Sequence, residues 1–308
     1  MAGAMPQTAR PRRSVLYLPG ANARAFSKAR SIPADAVILD LEDSVPPEKK
    51  ENARALVADA LRQGGFGARE TVLRINGFDT PWAAGDIAAV VPAAPDAILL
   101  PKVSRSDDVR RLRAALKAAS ARPTVQIWAM METPLAILNA GAIAATAAEE
   151  GPALAALAIG ASDLAEATRT RQVPGRWTML PWLSTCVAAG RAFDVSVIDA
   201  VYADFRDAEG FRAECEQGRD LGMDGKAVIH PNQVATCNEV FSPTADEIAW
   251  ARLILAAFER KENVDKNAIA IDGRMVERFH ARQARQTVEI ARAIRGAGEA
   301  ERRSAERR

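Results

Sequence analysis

Short apolar runs alternate along most of the chain with longer stretches in which apolar residues recur every three or four positions. Eight such runs are rich in β-branched residues and Leu: Ser14–Pro19, Ala36–Leu41, Thr71–Asn76, Ala97–Lys102, Thr124–Met131, Leu154–Ala161, Val195–Tyr202 and Lys226–His230. The stretches between them, such as Glu48–Leu61, Ser106–Ala119 and Glu209–Leu221, have the period of an amphipathic helix. Eight strand–helix units predict an α/β fold, a (β/α)8 TIM barrel.

A doubly wound open sheet is the main alternative to the barrel. Neither a GxGxxG nor a GxxxxGK[ST] sequence follows any of the predicted strands, so the usual nucleotide-binding patterns of such sheets are missing. The length of 308 residues exceeds the roughly 250 residues of a typical barrel. A second structural part is therefore expected beside the barrel.

That second part is predicted at the carboxyl end of the chain. The barrel is assigned to residues 13–242, and residues 243–295 form a C-terminal helical extension. In this extension a helix is expected at Thr244–Lys261, an extended segment at Ala268–Met275, and a last helix over about 276–294. Residues 1–12 and the charged residues 296–308 are predicted to be disordered.

Composition excludes several classes of protein. Lys and Arg number 41 against 39 Asp and Glu, a net charge of +2, which gives no general attraction to nucleic acid or to a membrane. The N-terminus lacks the apolar core of a signal peptide, and no apolar run approaches the roughly 18 residues of a membrane span. Three Cys without CxxC spacing and two His indicate neither a zinc site nor a disulfide framework. A cytoplasmic protein is expected.

Polar side chains collect where the predicted strands end. They are Asp40, Glu42 and Asp43 after the second strand, Arg74 and Asn76 on the third, Lys102 on the fourth, Glu132 on the fifth and Asp163 after the sixth. The carboxyl ends of barrel strands form one mouth, where enzymes with this fold place their chemistry. The sequence therefore predicts an active site there.

A magnesium site is predicted from two of these side chains. Strand alternation gives Glu132 the face of Trp128 and gives Asp163 the face of Ala161, at similar heights on adjacent strands. Two carboxylates with few other protein ligands suit Mg²⁺, and the scarcity of His argues against zinc or iron. Each acid also has a structural interpretation as a helix N-terminal residue, and Arg74 as an ion-pair partner of Glu42.

Seven blocks of sequence resemble one family. RSVLYLPG, LDLEDSV, LRING, LLPKV, METP, IGASDL and GKAVIHPNQ occur in the order and spacing of the citrate lyase β-subunit-like proteins. That group includes malyl-CoA and citramalyl-CoA lyases and lies within the HpcH/HpaI aldolase superfamily. The likeness spans about Arg13 to Ile294.

The resemblance implies roles for particular residues. It implies Mg²⁺ on Glu132 and Asp163, and Arg74 holding a keto-acid or thioester oxygen with support from Glu42 and Asp43. Contacts to substrate or coenzyme A are implied at Asn76, Lys102, Arg24, Lys28, His230, Pro231 and Gln233. The family's tail block usually reads GxMID; here it is GRMVE, so Glu277 stands where an Asp is expected and is the candidate acid or base.

The resemblance also implies an oligomer and a reaction. Members with this tail are typically trimers in which the extension caps the barrel mouth of a neighbour, so a homotrimer or hexamer is expected. The implied activity is a magnesium-dependent carbon–carbon lyase. It would cleave or form a 3-hydroxyacyl-CoA such as malyl-CoA or citramalyl-CoA, with acetyl-CoA and the 2-keto acid glyoxylate or pyruvate on the other side.

Four alternatives remain open from the sequence. The same scaffold could serve as an acyl-CoA thioesterase, as a citrate lyase β-subunit acting on an acyl-carrier-protein thioester, or as an aldolase acting on free 2-keto acids. It could also be a binding subunit without catalysis. Arg24 and Lys28 favour a free coenzyme A phosphate over a carrier protein, and the joint presence of Glu132, Asp163 and Arg74 favours an enzyme.

Overall fold

A closed barrel of parallel strands forms the larger part of the protein. The computed structural model describes the backbone of residues 10–306 and the side chains as far as Glu299. The strands are β1 Ser14–Pro19, β2 Ala36–Asp40, β3 Glu70–Arg74, β4 Ala97–Leu100, β5 Gln126–Met131, β6 Leu154–Ile159, β7 Ser196–Asp199 and β8 Gly225–Val228. Each strand pairs in parallel with the next, and β8 pairs with β1. The predicted (β/α)8 barrel is confirmed.

Helices connect the strands and cover the barrel. They are α1 Ala23–Ala29, α2 Lys50–Gln63, α3 Ala83–Val90, α4 Ser106–Ala118, α5 Pro134–Leu138, α6 Ala140–Ala145, α7 Ala161–Thr168, α8 Leu180–Ala192, α9 Ala208–Asp220 and α10 Asn232–Val240. The three amphipathic stretches named from the sequence correspond to α2, α4 and α9. Among the described residues, no helix combines the length and the apolar character needed to cross a membrane.

Strand alternation sorts side chains between two apolar layers. Ile38, Val72 and Trp128 belong to the cluster inside the barrel. Val37 and Leu73, their neighbours in sequence, belong to the larger cluster between strands and helices. A residue whose parity matches the inner cluster therefore points toward the barrel axis, and at a strand's carboxyl end it points into the mouth.

The opposite end of the barrel is closed by a buried ion pair. Arg12 is 6% exposed, donates to both Glu70 carboxylate oxygens at 2.8 and 2.9 Å, and lies 5.1 Å from the Trp128 ring centroid. Disorder was predicted for residues 1–12, of which 1–9 lie outside the described residues. For Arg12 that prediction is wrong, because the fully buried Glu70 carboxylate requires a cation beside it.

The extension is a separate compact unit. Contacts divide the chain into Arg12–Phe241 and a unit that contains Ser242–Arg308. In the extension α11 Ala245–Glu259 is followed by a hairpin of β9 Ala268–Ile271 and β10 Arg274–Glu277, and then by α12 Arg278–Glu306. Its own apolar cluster includes Ile254, Phe258, Val276 and Val288.

The last helix is longer than predicted. From the sequence, this helix was expected to end near Ile294, with disorder from residue 296. The structure continues α12 to Glu306, and residues 307–308 lie outside the described residues. Residues 295–306 are rich in Ala, Glu and Arg, which are among the strongest helix formers, and this outweighs the high charge that suggested disorder.

Candidate active site

Six of the predicted residues meet at the barrel mouth, and five of them end or follow a strand. Arg74 ends β3, Lys102 follows β4, Glu132 follows β5, and Glu42 and Asp43 follow β2. Ion pairs join them into two groups, one centred on Arg74 and one on Glu132. The predicted convergence of strand ends is therefore seen in the structure.

Arg74 is the centre of a cluster of carboxylates, of which Asp40 and Glu42 are buried and Asp43 is exposed. Its Nε and Nη2 donate to the two Asp40 oxygens at 2.6 and 2.8 Å, so Asp40 occupies the paired edge of the guanidinium. Nη1 lies 2.9 Å from Glu42 Oε2 and 3.3 Å from Asp43 Oδ2. The Tyr17 ring centroid lies 5.1 Å from the guanidinium carbon. The guanidinium is thus fixed on three sides and keeps one nitrogen toward the acids of the mouth.

Asp40 and Glu42 have opposite electrostatic character. Burial opposes ionisation of Asp40, but hydrogen bonds from Arg74 outweigh it and hold the pKa of Asp40 below its usual value. Burial raises the pKa of Glu42 to about 8, although the charge of Arg74 opposes the rise. Glu42 Oε2 is buried and lies only 2.9 Å from Arg74 Nη1. It nevertheless has no hydrogen bond in the described part of the chain. The mouth therefore holds one firmly ionised acid and one that titrates near neutrality.

A second layer of hydrogen bonds holds this cluster. Lys50 Nζ donates to the carbonyl oxygens of Leu41 and Glu42 at 2.8 and 2.7 Å and to Asn76 Oδ1 at 2.7 Å. Asn76 Nδ2 donates to Asp86 Oδ2 at 2.7 Å, and Asn76 is 1% exposed. Substrate contact was predicted for Asn76. The structure does not support it, because both polar atoms of the amide bond within the protein.

Glu132, Lys102 and Asp163 form the second group. The Lys102 backbone N–H donates to Glu132 Oε1 at 2.7 Å, and Lys102 Nζ lies 3.6 Å from the same oxygen. Nζ also contacts Asp163 Oδ1. Burial raises the pKa of Glu132. For Lys102, burial lowers the pKa, but the hydrogen bond to Asp163 and the charge of Glu132 outweigh it, so the net pKa is raised.

The Glu132 surroundings fit a divalent cation. Glu132 is 1% exposed, and its Oε2 has no hydrogen bond within the described residues. A Cβ placed on Gly160 would lie 2.5 Å from that oxygen, so only glycine leaves this space. No cluster of three or more His, Cys, Asp or Glu suited to a metal occurs among the described residues. A site with two carboxylates suits Mg²⁺, which keeps several waters.

Asp163 reaches this group from a helix and not from a strand. From the sequence, the sixth strand was expected to extend to Ala161, with Asp163 on the face that Ala161 shares with Ile159. That assignment is wrong, because β6 ends at Ile159 and Asp163 lies in the first turn of α7. Ile159 packs in the outer layer. The carboxylate still lies at the mouth, since the chain turns directly from β6 into α7.

No hydrogen bond or ion pair among the described residues of the barrel joins the two groups to Arg24, Lys28, His230, Pro231 or Gln233. Arg24 and Lys28 are exposed on α1. The ring of His230 stacks on Phe205 with centroids 4.8 Å apart, and Pro231 precedes α10. Gln233 is buried and binds the backbone of Ile229 and Tyr202, so it secures the loop after β8. Glu277 ends β10 in the extension, and its backbone N–H donates to His280 Nδ1 at 2.9 Å.

Four residues that shape the site had no role predicted from the sequence. Asp40 was named among the strand-end acids but received no role, although its parity with Ile38 pointed it into the barrel. Tyr17 carries the same kind of signal on β1. Lys50 had no such strand signal because it lies on helix α2. Gly160 had none because its role is to leave space beside Glu132 that a side chain would fill.

The titration of Glu42 predicts a pH-dependent stability. A carboxyl whose pKa is higher in the folded protein stabilises the fold below its unfolded pKa, near 4.5, and loses that contribution as the pH rises toward about 8. The slope through this window is at most about 1.4 kcal/mol per pH unit. Glu42→Gln should remove it, so the variant should gain stability relative to the parent between pH 5.5 and 8.5. Urea unfolding in chelator measures this.

The same substitution at an exposed glutamate controls for the loss of one carboxylate charge without burial. Glu48 is exposed in the turn before α2, so Glu48→Gln should run parallel to the parent at every pH. A Glu42→Gln curve that also runs parallel would show that Glu42 is ionised in the folded protein across the whole range.

Comparison with known proteins places the chain in a family. Residues 13–231 match the sequence pattern of the HpcH/HpaI aldolase/citrate lyase family. The chain belongs to this family. It is 44% identical over 94% of its length to the (3S)-malyl-CoA thioesterase of Cereibacter sphaeroides, of which 98% is covered. It is 33% identical over 92% of its length to the citrate lyase subunit beta of Leuconostoc mesenteroides, of which 94% is covered.

Solved structures of the family agree with the fold. The CitE protein of Mycobacterium tuberculosis, crystallised in complex with magnesium, acetoacetate and coenzyme A, superposes with a TM-score of 0.70 at 29% identity. The superposition covers 92% of this chain and 98% of that one. The predicted citrate lyase β-like family and the TIM barrel are both confirmed.

Proposed function

We propose that the protein is a magnesium-dependent enzyme that hydrolyses the thioester of a short 3-hydroxy dicarboxyl-CoA such as (3S)-malyl-CoA. The observation that carries this is the 44% identity to (3S)-malyl-CoA thioesterases over almost the full length of both chains. From the sequence, carbon–carbon cleavage was the expected reaction and thioester hydrolysis an alternative. The proposal reverses that order, since the lyase relatives share only about a third of their residues with this chain.

The site supplies what such a reaction requires from the protein. Glu132 and Asp163 would hold Mg²⁺, which when bound provides Lewis acidity toward a carbonyl oxygen. Arg74 provides a fixed positive charge that Asp40 orients, suited to an oxygen that gains negative charge. Glu42 titrates near neutrality and so can hold or release a proton at working pH. Exposed Arg24 and Lys28 are the proposed phosphate contacts of coenzyme A.

Carbon–carbon cleavage is the second candidate. It is favoured by the citramalyl-CoA lyase of Mus musculus, 31% identical over 92% of this chain, and by the citrate lyase β-subunits. Cleavage needs the same cation and the same fixed charge, but a base must act at the 3-hydroxyl instead of on water. The two reactions therefore differ in proton transfer and share the binding site.

Product analysis separates the two reactions. Purified protein, (3S)-malyl-CoA and Mg²⁺ should yield free coenzyme A thiol and malate in equal amounts, with little glyoxylate or acetyl-CoA. Glyoxylate and acetyl-CoA formed in equal amounts would assign the chain to the lyases. Absence of both products, with turnover of free 4-hydroxy-2-keto acids or of an acyl-carrier-protein thioester instead, would move the function to one of those alternatives.

Glu277 is proposed to serve the active site of a neighbouring subunit in a homo-oligomer. It ends a hairpin in a unit that is distinct from the barrel, and Met275 and Phe279 beside it are 72% and 43% exposed. Large apolar side chains so exposed favour burial against another surface. The resemblance to trimers, in which the tail acid completes a neighbour's site, supports the same arrangement.

Subunit mixing tests this arrangement. Glu132→Gln and Glu277→Ala chains should each be nearly inactive alone. Unfolded together and refolded, they should recover about a quarter to a third of parental activity in mixed oligomers, because some sites then combine an intact Glu132 with an intact Glu277. A fully active monomer, or mixtures no better than the separate variants, would contradict a shared site.

A further inference from the structure

The Lys102 ammonium lies between the two proposed metal ligands. It contacts Asp163 Oδ1 and lies 3.6 Å from Glu132 Oε1, which is beyond hydrogen-bond distance. The Lys102 side chain is 36% exposed, whereas Glu132 is fully buried. One monovalent cation therefore faces two carboxylates and hydrogen-bonds to only one of them.

The backbone of Lys102 has a separate role from its side chain. Lys102 adopts a φ of +54°, a left-handed conformation that is uncommon for residues other than glycine. In this conformation its N–H donates to Glu132 Oε1 at 2.7 Å. That bond fixes one Glu132 oxygen, and the other has no hydrogen-bond partner among the residues that the structure describes. A side-chain substitution at Lys102 should therefore leave Glu132 in place.

We propose that the Lys102 side chain competes with the divalent cation for Glu132 and Asp163, and thereby sets the metal affinity of the site. The proposal rests on the magnesium site assigned to these two carboxylates. In this proposal Lys102 modulates metal binding, whereas the family resemblance implied that it contacts the substrate.

Simple electrostatics supports competition over coexistence. Mg²⁺ binds carboxylate oxygens at about 2.0–2.1 Å, much closer than the ammonium lies to Glu132. Two cations on the same pair of carboxylates would repel each other, most strongly beside the buried Glu132 carboxylate. The ammonium must therefore leave Asp163 when the metal binds, and its 36% exposure with a flexible stem makes that movement possible. Each metal-binding event then includes the loss of one ion pair.

Calorimetric titration with Mg²⁺ tests the competition. Lys102→Met, which removes the charge and keeps the aliphatic stem, should bind Mg²⁺ about three- to tenfold more tightly than the parent. Lys102→Arg should bind no more tightly than the parent, because a cation remains. Lys117→Met is the matched control, since Lys117 is exposed on the outer helix α4, and its affinity should not change.

Titration at two salt concentrations distinguishes contact from distant charge. Long-range repulsion by an ammonium is largely screened at about 0.5 M KCl, where the Debye length is only a few ångströms, whereas direct occupation of the carboxylates is not. The gain in Lys102→Met should therefore persist at high salt. Equal affinity of Lys102→Met and parent, or a gain that vanishes at high salt, would overturn the competition.

Further variants keep this result apart from the proposed function. Glu132→Gln should lose Mg²⁺ binding in every background. If Glu132→Gln binds as the parent does, the metal site itself is wrong; if only Lys102→Met behaves as the parent, the site stands and the competition fails. Near-ultraviolet circular dichroism checks that each variant is folded, and Lys102→Gln replaces Lys102→Met if the latter is not.

Discussion

Glu132→Gln is expected to lower kcat/KM for the thioester by about a thousandfold or more and to abolish Mg²⁺ binding. The substitution preserves the shape of the side chain and its bond from the Lys102 N–H, but it removes one of two protein ligands. Mg²⁺ cannot be held firmly by Asp163 alone, since hard divalent cations need charged oxygen ligands. Isothermal titration and steady-state kinetics measure the two losses.

The same variant is expected to be more heat-stable than the parent in chelator. Glu132 is 1% exposed, and burial raises its pKa, so its charge is held in the folded protein at a cost. A neutral amide removes that cost. The parent should be stabilised by added Mg²⁺, and Glu132→Gln should not respond. Glu166→Gln, at an exposed position of α7, should match the parent in Mg²⁺ affinity, in kcat/KM and in heat stability. Full activity of the parent in excess chelator would contradict the metal requirement.

The barrel could be predicted from the sequence because its signal is local and repeated. Each β-rich run lies at its own strand, and the alternation within β3 correctly assigned Arg74 to the inner face beside Val72. Alternation holds only while the strand lasts. It failed for Asp163, because β6 ends at Ile159 and the chain enters α7.

Partners were harder to predict than positions. Arg74, Glu42 and Asp43 were expected together, but the paired hydrogen bonds of the guanidinium go to Asp40. Asp40, Glu42 and Asp43 lie within four residues of one another, so sequence spacing could not show which of them pairs most closely with Arg74. Asn76 was expected at the substrate from the family resemblance. The 26 positions between it and Lys50 concealed the hydrogen bond that holds its amide within the protein.

Long-range compensation accounts for the other differences. Arg12 was assigned to a disordered terminus because its neighbours are polar and lack periodicity. Its order comes from Glu70, 58 positions away, whose carboxylate is completely buried. At the end of α12 the relevant signal was local: the strong helix propensity of these residues was given less weight than their high charge.

Arg74→Lys is expected to lower kcat/KM by about tenfold to a thousandfold, equivalent to roughly 1.4–4 kcal/mol of transition-state stabilisation. The guanidinium binds Asp40 through Nε and Nη2 while Nη1 lies beside Glu42 and Asp43. A single ammonium cannot satisfy both oxygens of Asp40 and also lie 2.9 Å from Glu42. It would follow Asp40, because an unpaired buried carboxylate is the costlier outcome, and its charge would then withdraw from the mouth.

Two further variants assign this loss to orientation. Asp40→Asn retains the Arg74 charge but weakens the bonds that aim it, so it should lower kcat more than it changes KM. Arg113→Lys, which alters a guanidinium paired with Glu149 on the outer helix layer, should leave kinetics unchanged. If Lys at position 74 performs as well as Arg, the fixed direction of the charge has no role in turnover. Arg74 would then act only as a point charge balancing Asp40.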